Sequence, residues 1–147
     1  MKHTMIVVAD SYCARIFNVD AAHPMLTEVE TLLNPQARLH DRDITSDLPG
    51  KMKGVDGSGG HVYQPRTDPK EHAMAEFARV VAGCVNKVRK ENNLAKLLLI
   101  AEPSFLGELR AHLAHETAEK IVFELNKNLT QQSPDEISQY LPKDLIH

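Results

Sequence analysis

Two acidic residues stand where two apolar runs stop: Asp10 directly follows Thr4 to Ala9, and Glu102 directly follows Leu97 to Ala101. Carboxylates at strand tips are hard oxygen ligands. Joined by a helix acid, Glu71 or Glu76, they would form the cluster with which a metal-dependent nuclease holds Mg²⁺ against phosphate. The spacing requires neither helix acid, and each residue has a plainer reading. Asp10-Ser11 is good hairpin-turn chemistry, and Glu102-Pro103 marks a strand end. The turn reading is preferred for Asp10. It implies partly solvated carboxylates that Asn and Gln can replace with little effect on folding.

Other chemistry-bearing groups are less specific. His112, His115 and Glu116 fit neither H-E-x-x-H nor H-x-x-E-H and are expected on a wet helix face. Lys87, Arg89 and Lys90 would suit phosphate, but cations in the last turn of a helix are already expected from its macrodipole. Cys13 and Cys84 show neither zinc spacing nor a disulfide framework and are expected to be buried, reduced thiols.

The elements that would position these groups follow from periodicity. Thr4 to Ala9 is continuous and β-branched, as in a strand buried on both faces. Ala14 to Val19 is placed to return as its antiparallel partner, and Met25 to Leu33 forms a third strand with Glu28 and Glu30 on its wetter face. Pro69 occupies the first position of the longest helix, with Asp68 and Glu71 as a capping pair. Along it Met74, Phe77, Val81, Cys84 and Val88 share one side. Gly83 is expected to mark a close approach of this helix to a strand. Leu97 to Ala101 is the fourth strand, and Pro103 opens a helix striped by Phe105, Leu106, Leu109 and Leu113. Lys120 to Leu125 is the fifth strand. Ser133-Pro134-Asp135-Glu136 starts a short terminal helix carrying Ile137, Tyr140 and Leu141.

A three-strand meander followed by strand-helix alternation predicts an α/β, ribonuclease H-like three-layer sandwich. Its mixed five-stranded sheet has the order 3-2-1-4-5, with helices on both faces. The first and fourth strands are then parallel neighbours, so Asp10 and Glu102 emerge at one sheet end. His72 and Asn126-Lys127-Asn128 join them there, at the carboxyl edge where open α/β sheets bind ligands. The glycine-rich stretch 34–64 also leads to that end. Long loops of this kind are usually functional or mobile when unliganded, and one that orders on a protein partner is an alternative reading. Within and beside it Arg38, Arg42, Lys51, Lys53, Arg66 and Lys70 nearly balance Asp41, Asp43, Asp47, Asp56 and Asp68, so charge alone names no ligand.

The whole chain of 147 residues, 1–147, is expected to fold as one domain, and a net charge of −3 argues against unspecific nucleic-acid binding through phosphate. The apolar run ending at Asp10 is too short for a signal peptide's core or a membrane span, so a cytoplasmic location without membrane contact is expected.

Several segments together resemble the host-attachment protein family. They are Ile6-Val-Val-Ala-Asp-Ser-Tyr-Cys-Ala-Arg-Ile-Phe17, Pro65-Arg-Thr-Asp-Pro-Lys-Glu-His72 with Phe77-Ala78, Glu102-Pro-Ser-Phe-Leu-Gly-Glu-Leu-Arg110 and Glu124-Leu-Asn-Lys-Asn-Leu-Thr130. That family in turn looks like a bacterial relative of the middle domain of archaeal and eukaryotic class-1 release factors and of Pelota. The resemblance implies a ribosome- or tRNA-associated, RNA-binding module. In release factors the loop before the long helix carries Gly-Gly-Gln, which promotes hydrolysis of the peptidyl-tRNA ester; here it is Gly59-Gly60-His61, with Gln64 three residues on. Adjacent glycines let backbone amides approach a substrate, but the water-positioning glutamine is missing. The binding candidates are accordingly Gly59, Gly60, His61, Gln64, Arg66, His72 and Lys127, with no catalytic residue assigned and no cofactor implied. The nuclease alternative would use Asp10, Glu71 and Glu102 with Mg²⁺.

Overall fold

In the computed structural model the described residues are 3–20, 23–36, 69–91 and 93–146. The expected loop 34–64, apart from its first three residues, lies outside them, as do Gly59, Gly60, His61, Gln64, Arg66 and Asp68.

The strands are β1 (His3–Ala9), β2 (Cys13–Asp20), β3 (His23–Leu33), β4 (Leu94–Ala101) and β5 (Ile121–Leu125), in the spatial order β3-β2-β1-β4-β5. This is the predicted mixed sheet. β2 runs antiparallel to β1 and β3, whereas β1, β4 and β5 run parallel, with Ala9 beside Ala101. β1 and β4 lie at the centre, and Ile6 to Ala9 and Leu97 to Ala101 are fully buried. Such two-sided burial is what a continuous apolar run, rather than an alternating one, encodes.

The first face of the sheet is covered by α1 (Pro69–Glu91) and α2 (Pro103–His112). Met5, Val7, Ala9, Ile16, Leu97 and Leu99 from the sheet meet Phe77, Val81, Val85, Phe105 and Leu109 from the helices. The rings of Phe77 and Phe105 are 5.8 Å apart, which fixes how the two helices sit against each other. The stripe of α1 is rotated from the expected one. Ala73, Ala78 and Ala82 are buried at its centre, while Met74, Cys84 and Val88 flank it half-buried. Gly83 contradicts its expected role, because it is exposed and a Cβ there would meet nothing within 4 Å. α2 ends at His112. Leu113 caps it in an extended conformation and still packs on the core.

The second face is covered differently. After β5 the chain runs back across the sheet, seating Leu129, Ile137 and Leu141 on Ile6, Val8, Phe17, Leu98 and Ile100. Its regular structure there is α4 (Pro134–Ser138), begun by the predicted capping box. The Ser133 hydroxyl accepts from the Glu136 amide at 3.1 Å, and the Glu136 carboxylate accepts from the Ser133 amide at 2.8 Å. Among the described elements two were not foreseen, a single turn α3 (His115–Ala118) and a terminal turn α5 (Lys143–Ile146).

β3 departs from simple alternation. Ile16 pairs with Glu30 and Phe17 with Glu28, leaving Val29 without a residue opposite. A bulge of this kind shifts the pleat by one residue. Glu28 and Glu30 therefore do not share the expected wet face: Glu28 binds Arg15, while Glu30 turns to Cys84 on α1.

Candidate functional site at the carboxyl edge of the sheet

Ala9 and Ala101 pair at the ends of β1 and β4, so Asp10 and Glu102 leave adjacent strand tips as the topology predicted. Their surroundings differ sharply. Glu102 is half-exposed and its side chain caps nothing on α2, although its carbonyl accepts from the Leu106 amide at 2.9 Å. Asp10 is only 7% exposed, and both its oxygens are occupied. Oδ1 accepts from the amides of Tyr12 (2.8 Å) and Cys13 (2.9 Å), and Oδ2 accepts from Asn128 Nδ2 (3.1 Å) and lies 3.0 Å from the Thr130 hydroxyl, whose single proton is shared with Asn128 Oδ1 at 2.8 Å. The expected partly solvated carboxylate is thus a buried acceptor with both oxygens bonded.

The reason lies in the β1–β2 turn. Asp10 and Cys13 close a hairpin through Asp10 N–H donating to the Cys13 carbonyl at 2.9 Å. A two-residue connection normally needs positive φ, and neither Ser11 nor Tyr12 adopts it. The Asp10 carboxylate takes over as acceptor for the turn amides, which is how Asp stabilises such turns. The Asn128 amide is oriented by its own bond, since its Oδ1 accepts from the Thr130 amide at 3.0 Å and leaves Nδ2 facing Asp10.

Arg15 completes the anchorage. Its Nη1 donates to the carbonyls of Thr130 (3.0 Å) and Gln132 (2.6 Å). Nε and Nη2 grip Glu28 in a fork at 3.2 and 2.9 Å, and the guanidinium lies 5.1 Å from the centre of the Phe17 ring. Arg15, chiefly through these hydrogen bonds, holds the Glu28 carboxyl below its ordinary range. Asn34, 4% exposed at the end of β3, ties the turn to α1. Its Nδ2 donates to the Ser11 carbonyl at 2.9 Å and lies 3.3 Å from the Ala73 carbonyl. One connected polar network therefore joins β1, β2, β3, α1 and the segment 128–132.

Of the other sequence candidates, Glu71 and His72 are exposed on the first turns of α1. Lys127 is exposed after β5, with its ammonium 5.7 Å from the Tyr140 ring centre. The structure does not bring Asp10, Glu71 and Glu102 into one cluster, and no group of three His, Cys, Asp or Glu able to hold a metal occurs among the described residues. His112 bonds the Glu108 carbonyl and His115 pairs with Glu119, so these histidines do not converge. Arg89 is used internally, donating to the buried Thr117 hydroxyl at 2.8 Å. Among the described residues no helix is long and apolar enough to cross a membrane.

Residues 5–141 match the profile of a family described as a protein required for attachment to host cells. The chain belongs to that family. Comparison with the curated proteins finds no match. Among solved structures, one titled an archaeal protein superposes with a TM-score of 0.51 at 9% identity, over 97% of this chain and 34% of its own. A Ppx/GppA phosphatase from Aquifex aeolicus gives a TM-score of 0.45 at 11% identity, over 85% of this chain and 35% of its own. The first likeness is one of fold alone. The chain spans about a third of the length of either structure.

The segments that resemble the host-attachment family include Asp10, Arg15, Asn128 and Thr130, which here hold the carboxyl edge together. Sequence reasoning brings Asp10 and Asn128 to the same sheet end, but it gives no role to Arg15 or Thr130.

Proposed function

We propose that this host-attachment family member is a cytosolic, release-factor-like binding module. It works at the carboxyl edge of its sheet on an RNA-bearing partner, the ribosome or tRNA, and influences attachment indirectly. The observation that carries the non-catalytic part of this reading is the state of Asp10. A buried carboxylate already held on both oxygens by three N–H groups, and sharing the Thr130 hydroxyl proton with Asn128 Oδ1, must surrender an internal bond before it can act as a metal ligand or general base. The edge is therefore a rigid platform. His72 and Lys127 are exposed upon it, and Gly59, Gly60, His61, Gln64 and Arg66 belong to the stretch that leads into α1. The RNA-directed part rests on the resemblance of the sequence to the release-factor middle domain.

Polysome fractionation of the tagged protein from growing cells tests this proposal. Co-sedimentation with ribosomal particles that is abolished by ribonuclease is expected; a protein confined to the top of the gradient overturns the RNA-directed part. The metal-dependent nuclease is tested separately. Millimolar Mg²⁺ or Mn²⁺ is expected to leave the melting temperature unchanged, with no cleavage of an RNA–DNA hybrid. A cation-dependent rise lost in Asp10→Asn, together with turnover, would promote the nuclease instead.

A further inference from the structure

Away from the carboxyl edge, a cleft of about 250 Å³ opens between the C-terminal half of α1 and the β1-β2-β3 side of the sheet. Its walls are mainly apolar, with Met5, Ile16, Val88 and Leu94, and Asn18 is among the polar residues that line it. At about 30 Å³ for each water-sized group it has room for roughly eight such groups, less than the about 300–1,000 Å³ of pockets for drug-sized molecules. Its occupant is accordingly small.

Three observations show that the cleft is built rather than left over. The bulge in β3 leaves Val29 unpaired and turns Glu30 toward α1, and both residues line the cleft. Without the extra residue Glu30 would share the face of Glu28, on the far side of the sheet. Cys84 Sγ, 3.8 Å from Glu30 Oε1, orients that carboxylate from the helix side. Burial first, and the Glu30 charge second, push the thiol's pKa up, so Cys84 stays a protonated donor. Lastly, Nδ1 of His3, another lining residue, is buried with no hydrogen-bond partner among the described residues. Buried polar atoms of this kind are uncommon, and each asks for a missing partner.

We infer that this cleft binds a small apolar molecule carrying a protonated amine, its body between α1 and the sheet and its ammonium at Glu30. The carboxylate on the wall disfavours an anion. A wholly apolar occupant would cover the Glu30 charge without compensation. An ammonium supplies several donors in one compact group. The site is separate from the carboxyl edge, and its existence does not depend on the binding function proposed there.

The test is a chemical-shift titration of the full chain with three matched probes: phenethylamine, phenethyl alcohol and phenylpropionate. Saturable shifts are expected at the amides of Val29, Cys84 and Val88. The amine should bind about fivefold more tightly than the alcohol, the upper size of a part-exposed ion pair, and the carboxylate most weakly. Glu30→Gln, at an exposed edge position that spares the core, should remove the amine's advantage and leave alcohol binding intact. Val88→Phe should fill the cleft and abolish all three responses. The inference is overturned by unsaturable or scattered shifts, by equal or tighter binding of the carboxylate, or by an amine preference that survives Glu30→Gln.

Discussion

The two faces of the sheet solve the same problem by different means. On the first, α1 and α2 bury long helical stripes, and the contact is almost wholly apolar. On the second, a short helix and irregular chain supply, among the described residues, Leu129, Ile137 and Leu141 against the sheet, and the path between them is fixed by Asp10 and Arg15. A helix satisfies its own backbone polar groups, so packing alone can hold it. An extended crossing does not, and its carbonyls and amides must find partners elsewhere. The polar network therefore gathers at the carboxyl edge, where the segment 128–132 begins its crossing of the second face, and the exposed candidates among the described residues lie at the same end.

The largest way to break this contrast is on the helical face. Phe77→Ala removes a ring packed on Phe105 and is expected to cost about 3–5 kcal/mol in denaturant unfolding. A loss below about 1 kcal/mol would mean that the ring is not in the core. Next comes Asp10→Asn, which turns an acceptor oxygen into a donor facing Asn128 Nδ2 and the Thr130 hydroxyl. Stranded buried donors cost about 1–3 kcal/mol each, so about 2–3 kcal/mol is expected. The comparison also says where. Amide exchange should quicken at Leu129 and Ile137 before it does in α1. Uniform acceleration across both faces would show that the Asp10 network does not serve the second face in particular.

These two residues also mark what the sequence made legible. Strand order and helix positions followed from runs and periods that belong to local stretches of chain, and Phe77 was found that way. The role of Asp10 was only half visible, because turn chemistry accounts for Oδ1, whereas the bonds to Oδ2 come from residues 128 and 130. The stripe of α1 was misplaced since alanine carries little hydrophobic weight in a periodic pattern, yet Ala73, Ala78 and Ala82 lie where the helix must come closest to its neighbours. The bulge at Val29 left no signal, for nothing in Glu-Val-Glu distinguishes a pleat from an interrupted one. It alone decides that Glu28 and Glu30 part company.

A smaller effect sharpens the account of α1. Because Gly83 lies on the exposed side of the helix with open space about it, Gly83→Ala should stabilise the protein by about 0.8–1.0 kcal/mol through backbone conformational preference. In thermal unfolding that is a rise of about 2–4 °C for a domain of this size. A lowered melting temperature would restore the close approach that the sequence suggested.

The smallest effect concerns the anchorage of the second face to β3. The Arg15 fork lowers the Glu28 pKa in the folded state, so the unfolded chain takes up a proton at Glu28 before the folded one does. The corresponding stability is fully present above the ordinary glutamate pKa of about 4.3 and is lost as pH falls through the depressed folded value. The Glu28 side chain is 30% exposed and Arg15 15%, so solvent screening keeps this contribution small, about 1 kcal/mol or less. Glu28→Gln should therefore be slightly less stable than the parent at neutral pH, and the two unfolding curves should converge as acid removes the parent's advantage. High salt at neutral pH should narrow the gap only partly, because the fork is also held by directed hydrogen bonds. If the gap instead stays constant down to pH 3, Glu28 acts there as packing rather than as charge, and the second face rests on Asp10 and the Arg15 bonds to Thr130 and Gln132 alone.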